Sequence, residues 1–304
     1  MRRPRRPVVT RPAGAALGLA ILLTLLAAAI LAAAAWWMSG GRWLTIESPS
    51  MGQAAPVGTL VLTRPVAVRD LAPGDVISFM PPTVPHLYTH RVVEILPGGG
   101  LRTQGDVNRT PDSWTLHQGD LTGRVVARWW GVGWILKALP LLAVIVALVL
   151  LGTARFAADE WRKPLRLFLV PLAFSVCGLI YRPWVGLMLI DQTATEGGGV
   201  GRVISTGILP VKAFALNAGH DVTVHLIAGQ VGQLPLVGGD QKGRVFVDGA
   251  IDLYGWWWVA IIVVCLLPIA YELVTMRGDR GDGRGRHEGS DEGEHDTLES
   301  MGLA

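Results

Sequence analysis

From Ala13 to Met38 the chain carries no charged residue. At ~1.5 Å of rise per residue, about 20 helical residues already cross a ~30 Å hydrocarbon core, and lipid accepts only backbones that satisfy their own hydrogen bonds. This run therefore constrains the fold first. Arg2, Arg3, Arg5 and Arg6 precede it and alanines fill positions 32–35, as in a secretory signal peptide. Its apolar core, however, exceeds an h-region of roughly 7 to 15 residues. A retained anchor is the reading that fits, with Trp36 and Trp37 at its interfacial end.

The rest of the apolar half of the chain is also gathered in blocks. Residues 134–153, 167–190 and 253–276 read as three further spans, giving about four transmembrane helices; Pro171, Arg182 and Pro183 make the 167–190 segment the most irregular. Lys137 sits near one end of the second span, within reach of the interface. Lys and Arg then fix orientation, because positively charged loops stay in the cytoplasm. Five arginines lie in the N-terminus 1–12, Arg155, Arg162, Lys163 and Arg166 in the loop 154–166, and Arg277, Arg280, Arg284 and Arg286 in the tail 277–304. All three clusters fall on one side of a four-span chain. A multi-pass protein of the cell membrane is expected, with residues 39–133 and 191–252 outside. Topology accounts for the net charge of +3, so no nucleic-acid partner is implied.

The first outside segment alternates strand-like runs with turns: "TLVLTRPV", "GDVISFM", "THRVVEIL", "LRTQGD" and "LTGRVVARW". The second contains "VGRVIST", "VKAFAL", "DVTVHLIAG" and "GRVFVDG" and reads as a small β module. His220, Asp221 and His225 within it match no defensible metal-ligand spacing. The tail after Met276 is glycine- and charge-rich and too poor in apolar residues to fold. Cys177 and Cys265 both lie in apolar segments, which excludes a disulfide framework and a sortase-like cysteine nucleophile.

The candidate chemistry lies in the first outside segment, and no lysine occurs between Trp43 and Leu136. A serine needs a base to take its proton and a third group to hold that base. The chain's four lysines are Lys137, Lys163, Lys212 and Lys242, so no Ser/Lys dyad can form within this segment. Of its histidines, His86 lies in a proline-rich loop and His117 follows a tryptophan-rich one, whereas His90 opens the strand-like "HRVVEI". Before it stands "SPSM", after it "TQGDVNRTPD".

That combination, in that order after a membrane anchor, resembles the type I signal peptidases, specifically the Ser/His branch typical of the endoplasmic reticulum, archaea and some Gram-positive bacteria. The resemblance implies a mostly β, signal-peptidase-like catalytic domain. It makes Ser50, immediately before Met51, the nucleophile and His90 the general base. Asp106 of the Gly-Asp-x-Asn motif and Asp112, six residues later, are the acids. Asp106 is favoured as the group that orients His90 because it follows the strand end directly, but sequence does not separate the two. The backbone N–H of Ser50 and the hydroxyl of Ser48 are the oxyanion donors, on one face if the segment is strand-like. The chain departs from the family at Pro49, where glycine is usual, at Gln53, where proline is usual, and at Gly58-Thr59 in place of Gly-Asp.

The activity so implied is serine endopeptidase cleavage of signal-peptide-bearing secretory precursors after small residues, with the lipid bilayer and the export machinery as partners. No metal or organic cofactor is expected. The rival expectation is a catalytically silent membrane protein whose β modules bind or help assemble surface proteins. The module at 191–252 exceeds a minimal signal peptidase, and a role in recruiting precursors is expected of it.

Overall fold

The computed structural model describes residues 13–181, 184–195, 198–215, 222–236, 247–259, 262, 263 and 266. Three of its helices are long and apolar enough to cross a membrane: α1 (Ala13–Met38), α2 (Val132–Phe156) and α3 (Asp159–Tyr181). Most of the segment expected to form a fourth span, the N-terminal arginines and the tail lie outside the described residues. The chain divides into two units, one formed by residues 1–148 and 172–252 and carrying every described strand, the other by residues 149–171 and 253–304.

In the first unit, α1 ends where Gly40 turns the chain, and β1 (Arg42–Thr45) begins two residues later. Trp36 Nε1 donates to the Arg42 carbonyl and the Arg42 guanidinium lies 4.0 Å over the Trp37 ring, tying the anchor's end to the first strand. Five more strands follow: β2 (Leu60–Arg64), β3 (Val76–Phe79), β4 (Tyr88–Ile95), β5 (Leu101–Gln104) and β6 (Leu121–Trp129). They form one antiparallel sheet in the order β1-β2-β6-β3-β4-β5. Alternation decides what each buries: in β5, Leu101 and Thr103 face inward and Arg102 outward. Ile77, Phe79, Val92, Leu101 and Leu116 make one fully buried cluster, and Ile46, Met51, Ala55 and Val61 make a second beneath the turn after β1.

The module after α3 is also β. Its strands are β7 (Leu187–Thr195), β8 (Gly198–Ser205), β9 (Val211–Ala215), β10 (Thr223–Leu226), β11 (Val231–Leu236) and β12 (Val247–Ile251). They pair as two three-stranded sheets, β11-β8-β7 and β10-β9-β12, around Val203, Val211, Ala213, Leu226 and Leu234. Residues 187–190, assigned from sequence to the third span, belong instead to β7. Helix α3 ends at Tyr181, and the apolar run at 187–189 pairs with β8, with only Leu187 packing on the module's core while Met188 and Leu189 stay exposed.

In the second unit the 154–166 loop of the sequence reading contracts to a tight connection, because α2 continues to Phe156 and α3 starts at Asp159. Two arginines bind backbone and side-chain oxygens around this connection, among them a carbonyl of the last turn of α2, where intrahelical donors run out. Arg162 donates to the carbonyls of Ala154 and Ala157, and Arg166 to that of Leu150 and to Thr153 Oγ1.

The buried cluster under the six-stranded sheet has no polar substitute for its volume. Leu101→Ala should destabilise the protein by about 2–5 kcal/mol, read as a lowered thermal midpoint in detergent. A change within about 0.5 kcal/mol would contradict the assigned core.

Candidate active site

Ser50 does not lie on a strand. Residues Pro49–Ala54 form a 3-10 turn, entered from an extended Ser48 and kinked at Gly52 (φ 53°, ψ −135°). Pro49 suits the first turn, where its missing N–H had no intrahelical partner to lose. The expected strand face shared by Ser48 and Ser50 is thus replaced by a turn, which still brings their hydroxyls 3.2 Å apart. Ser48 occupies the N-cap position, yet its side chain makes no capping hydrogen bond. Its hydroxyl faces Ser50 instead.

His90 sits in β4 opposite Ile77 of β3, 3% exposed, with Phe79 and Tyr88 edge-on to its ring. Its Nδ1 lies 2.7 Å from Asp112 Oδ2 and its Nε2 3.0 Å from Ser50 Oγ. A carboxylate only accepts, so Nδ1–H donates to Asp112 and Nε2 is left to accept the Ser50 hydroxyl. Asp112 is fixed in turn: Thr103 Oγ1 donates to the same Oδ2 at 2.7 Å, and the Asp112 N–H donates to the Thr103 carbonyl at 2.8 Å.

Asp106 does not serve His90. Both of its carboxylate oxygens accept from Arg91, at 2.9 and 2.7 Å from Nε and Nη2. The reason is the pleat: Arg91 and His90 are adjacent on β4 and so point to opposite faces, and Asp106 lies on the arginine's side. The hydrogen bond to Asp106 raises the pKa of Arg91 above the usual arginine value. Arg91 also donates to the Gly74 carbonyl, bracing β4 next to His90.

The stretch "GDVN" acts mostly through its backbone. The Val107 N–H donates to the Ser50 carbonyl at 3.0 Å, and the Asn108 N–H to the Gly105 carbonyl at 2.9 Å. A Cβ on Gly105 would stand 2.8 Å from the Ser50 carbonyl oxygen, so only glycine lets the end of β5 approach the serine this closely.

Beside Ser50 opens a groove of about 590 Å³, bordered by Leu44, Ile46, Ser48, His86, Tyr88 and Lys137. Its two walls are strand edges. Among the described residues β1 pairs only with β2, and the start of β4 only with β3, because β5 joins from Arg91 onward. Lys137, at the start of α2, donates to Glu47 on the groove's rim. In the module, His225 pairs with Asp252, while His220 and Asp221 lie outside the described residues. Among the described residues no His, Cys, Asp and Glu cluster could hold a metal ion.

The arrangement can therefore pass a proton from Ser50 to His90 and offer Ser48 as a neutral donor beside the reacting oxygen. Sequence reasoning missed Thr103, whose "RTQG" context shows only a strand end, and the groove-facing Glu47–Lys137 pair, whose members lie 90 residues apart in the chain. Asp112→Asn should lower turnover by on the order of 10²–10⁴-fold with little change in folding, whereas Asp106→Asn should lower the thermal midpoint and reduce turnover far less. Turnover and melting of both variants, on an Ala-x-Ala peptide, check this; the reverse ranking would return Asp106 to the histidine. No family model matches this chain, and a search of curated proteins finds none of significant similarity.

Proposed function

We propose that the protein is a membrane-bound serine endopeptidase that removes signal peptides, with Ser50 as nucleophile and His90 as general base. The observation that carries this reading is the line Ser50–His90–Asp112, with successive contacts of 3.0 and 2.7 Å, at the edge of an open groove. The resemblance in "SPSM", "HRVVEI" and "TQGDVNRTPD" narrows the class from serine hydrolase to signal peptidase.

In the mechanism, Ser50 Oγ attacks the scissile carbonyl as Nε2 of His90 takes its proton. His90 then returns that proton to the leaving amine, which departs as the carbon–nitrogen bond breaks. Asp112 holds the ring in the correct tautomer and stabilises the imidazolium. Water, activated by the same imidazole, then releases the acyl group from Ser50. The base contributes ~10²–10⁴ in rate. The Ser48 hydroxyl and the Ser50 N–H stabilise the oxyanion, each good donor being worth ~10²–10³.

An extended precursor fits a groove walled by unpaired strand edges, where main-chain hydrogen bonds give affinity. The anchor supplies the location. Only the few residues of β1 and the following loop separate Met38 from Ser50, so the groove opens near the lipid surface, on the extracytoplasmic side by the distribution of Lys and Arg. Exposed Trp37, Trp129 and Trp130 stand at the β-domain ends of α1 and α2, the residue type that favours headgroup level.

Purified full-length protein in detergent should cleave a precursor bearing an Ala-x-Ala site after the second alanine. Ser50→Ala and His90→Ala should each lose at least about 10³-fold of that activity. Processing in cells that continues unchanged with Ser50→Ala would reject the peptidase and favour a binding or assembly role for the β modules.

A further inference from the structure

The second β module touches the turn that carries Ser50. Arg202, on β8 and with a side chain only 18% exposed, donates from Nη2 to the Val107 carbonyl at 2.9 Å and from Nη1 to Asp191 Oδ2 at 2.9 Å. Asp191 is its register partner on β7. The other Asp191 oxygen accepts from Arg109 at 2.9 Å, and Arg109 also donates to Thr193 Oγ1. Both ends of the Val107–Arg109 stretch are thus held from the module. Val107 is the residue whose N–H binds the Ser50 carbonyl, so one residue links Arg202 to the serine.

A second contact is steric. Gly229, in the turn between β10 and β11, has φ +73°, and a Cβ there would stand 2.5 Å from the Gly52 carbonyl oxygen and 2.9 Å from the Gln53 nitrogen. On its other side, Gly52 is bounded by Val107, whose Cγ1 would be 2.7 Å from a Cβ on that glycine. The kink two residues after Ser50 is therefore enclosed between the Val107 loop and the module's Gly229. Gly229 is itself anchored, its N–H donating to the Ser205 carbonyl at the end of β8.

We propose that the module is a clamp on the nucleophile turn, with Arg202 and Gly229 as positioning residues that act on Ser50 through Val107 and Gly52. The proposal rests on Ser50 being the nucleophile for its effect on rate, though not for the mechanical coupling itself. A 3-10 turn interrupted by a non-helical glycine has few bonds of its own, and a serine displaced by ~1 Å from its base can lose ~10² in rate. Clamping therefore acts on kcat, for short and long substrates alike. Precursor recruitment alone would act on KM, and only for substrates long enough to reach the module.

The test uses the full-length protein in detergent with Arg202→Ala, Arg202→Lys, Gly229→Ala and, as a module-surface control, His225→Ala. Two readouts are taken: kcat and KM on a short Ala-x-Ala peptide, and hydrogen–deuterium exchange of the segments around residues 48–56 and 105–109. The clamp predicts a ~10- to 100-fold fall in kcat at nearly constant KM for Arg202→Ala and Gly229→Ala. It also predicts faster exchange in both segments, partial rescue in Arg202→Lys, which keeps a charge beside Asp191, and wild-type behaviour in His225→Ala. Wild-type exchange in Arg202→Ala and Gly229→Ala would overturn the clamp, as would unchanged kcat on the short peptide with KM raised only for full precursors. A wild-type protein that cuts nothing would instead remove the peptidase reading, and exchange would still decide the coupling.

Discussion

A buried imidazole between two oxygens is only as useful as its orientation, and here that orientation depends on the 2.7 Å contact of His90 Nδ1 with Asp112. Rotating the ring would take Nε2 from Ser50, and the wrong tautomer would present a proton where a lone pair is needed. The surroundings remove both freedoms. Phe79 and Tyr88 pack edge-on to the ring, and Thr103 completes the acceptor capacity of the Asp112 oxygen that faces it. The histidine is held on a paired strand, while the serine sits on a turn whose stability comes from neighbours. The precision of the pair therefore rests on what holds residues 49–54.

Those supports come from three directions. Met51 is buried with Ile46, Ala55 and Val61, which fastens the turn to the hydrophobic core. Gly105 and Val107 press against it from the end of β5, and the β7–β12 module meets it where Gly229 approaches Gly52 and Gln53. The anchor reaches the same place through β1, and α2 returns to it through the Gly133 N–H on the Gly58 carbonyl. The ends of two apolar helices long enough to span a membrane thus meet the β domain close to the strand that borders the groove.

The resemblance in sequence singled out Ser50 and His90, and the fold brings the two side chains to 3.0 Å, although Ser50 lies on a turn where a strand-like segment was expected. Sequence also carried most strands, whose alternation survives in β5 and β9. It favoured Asp106 over Asp112 because closeness along the chain is not closeness across a pleat; the backbone return of Asp112 to Thr103 has no local signature. Leu187–Ile190 were read as membrane because an apolar strand and the end of a span look alike over four residues. β11 escaped notice because Gly232 and Pro235 interrupt it, yet it lies on a sheet edge where proline is tolerated. The Arg202–Val107 contact joins residues 95 apart, and nothing in either local stretch points to the other.

Whether His90 acts as a base toward residue 50 can be measured without knowing the substrate. In Ser50→Cys the alkylation rate of the new thiol would be followed against pH by site-resolved mass spectrometry. A free thiol ionises near about 8.5, and an adjacent imidazole shifts thiolate formation well below that. A general base at His90 gives rapid alkylation that persists into mildly acidic solution and reverts to ordinary thiol behaviour in the Ser50→Cys/His90→Ala double variant. A pH dependence that is the same with and without His90 would contradict it.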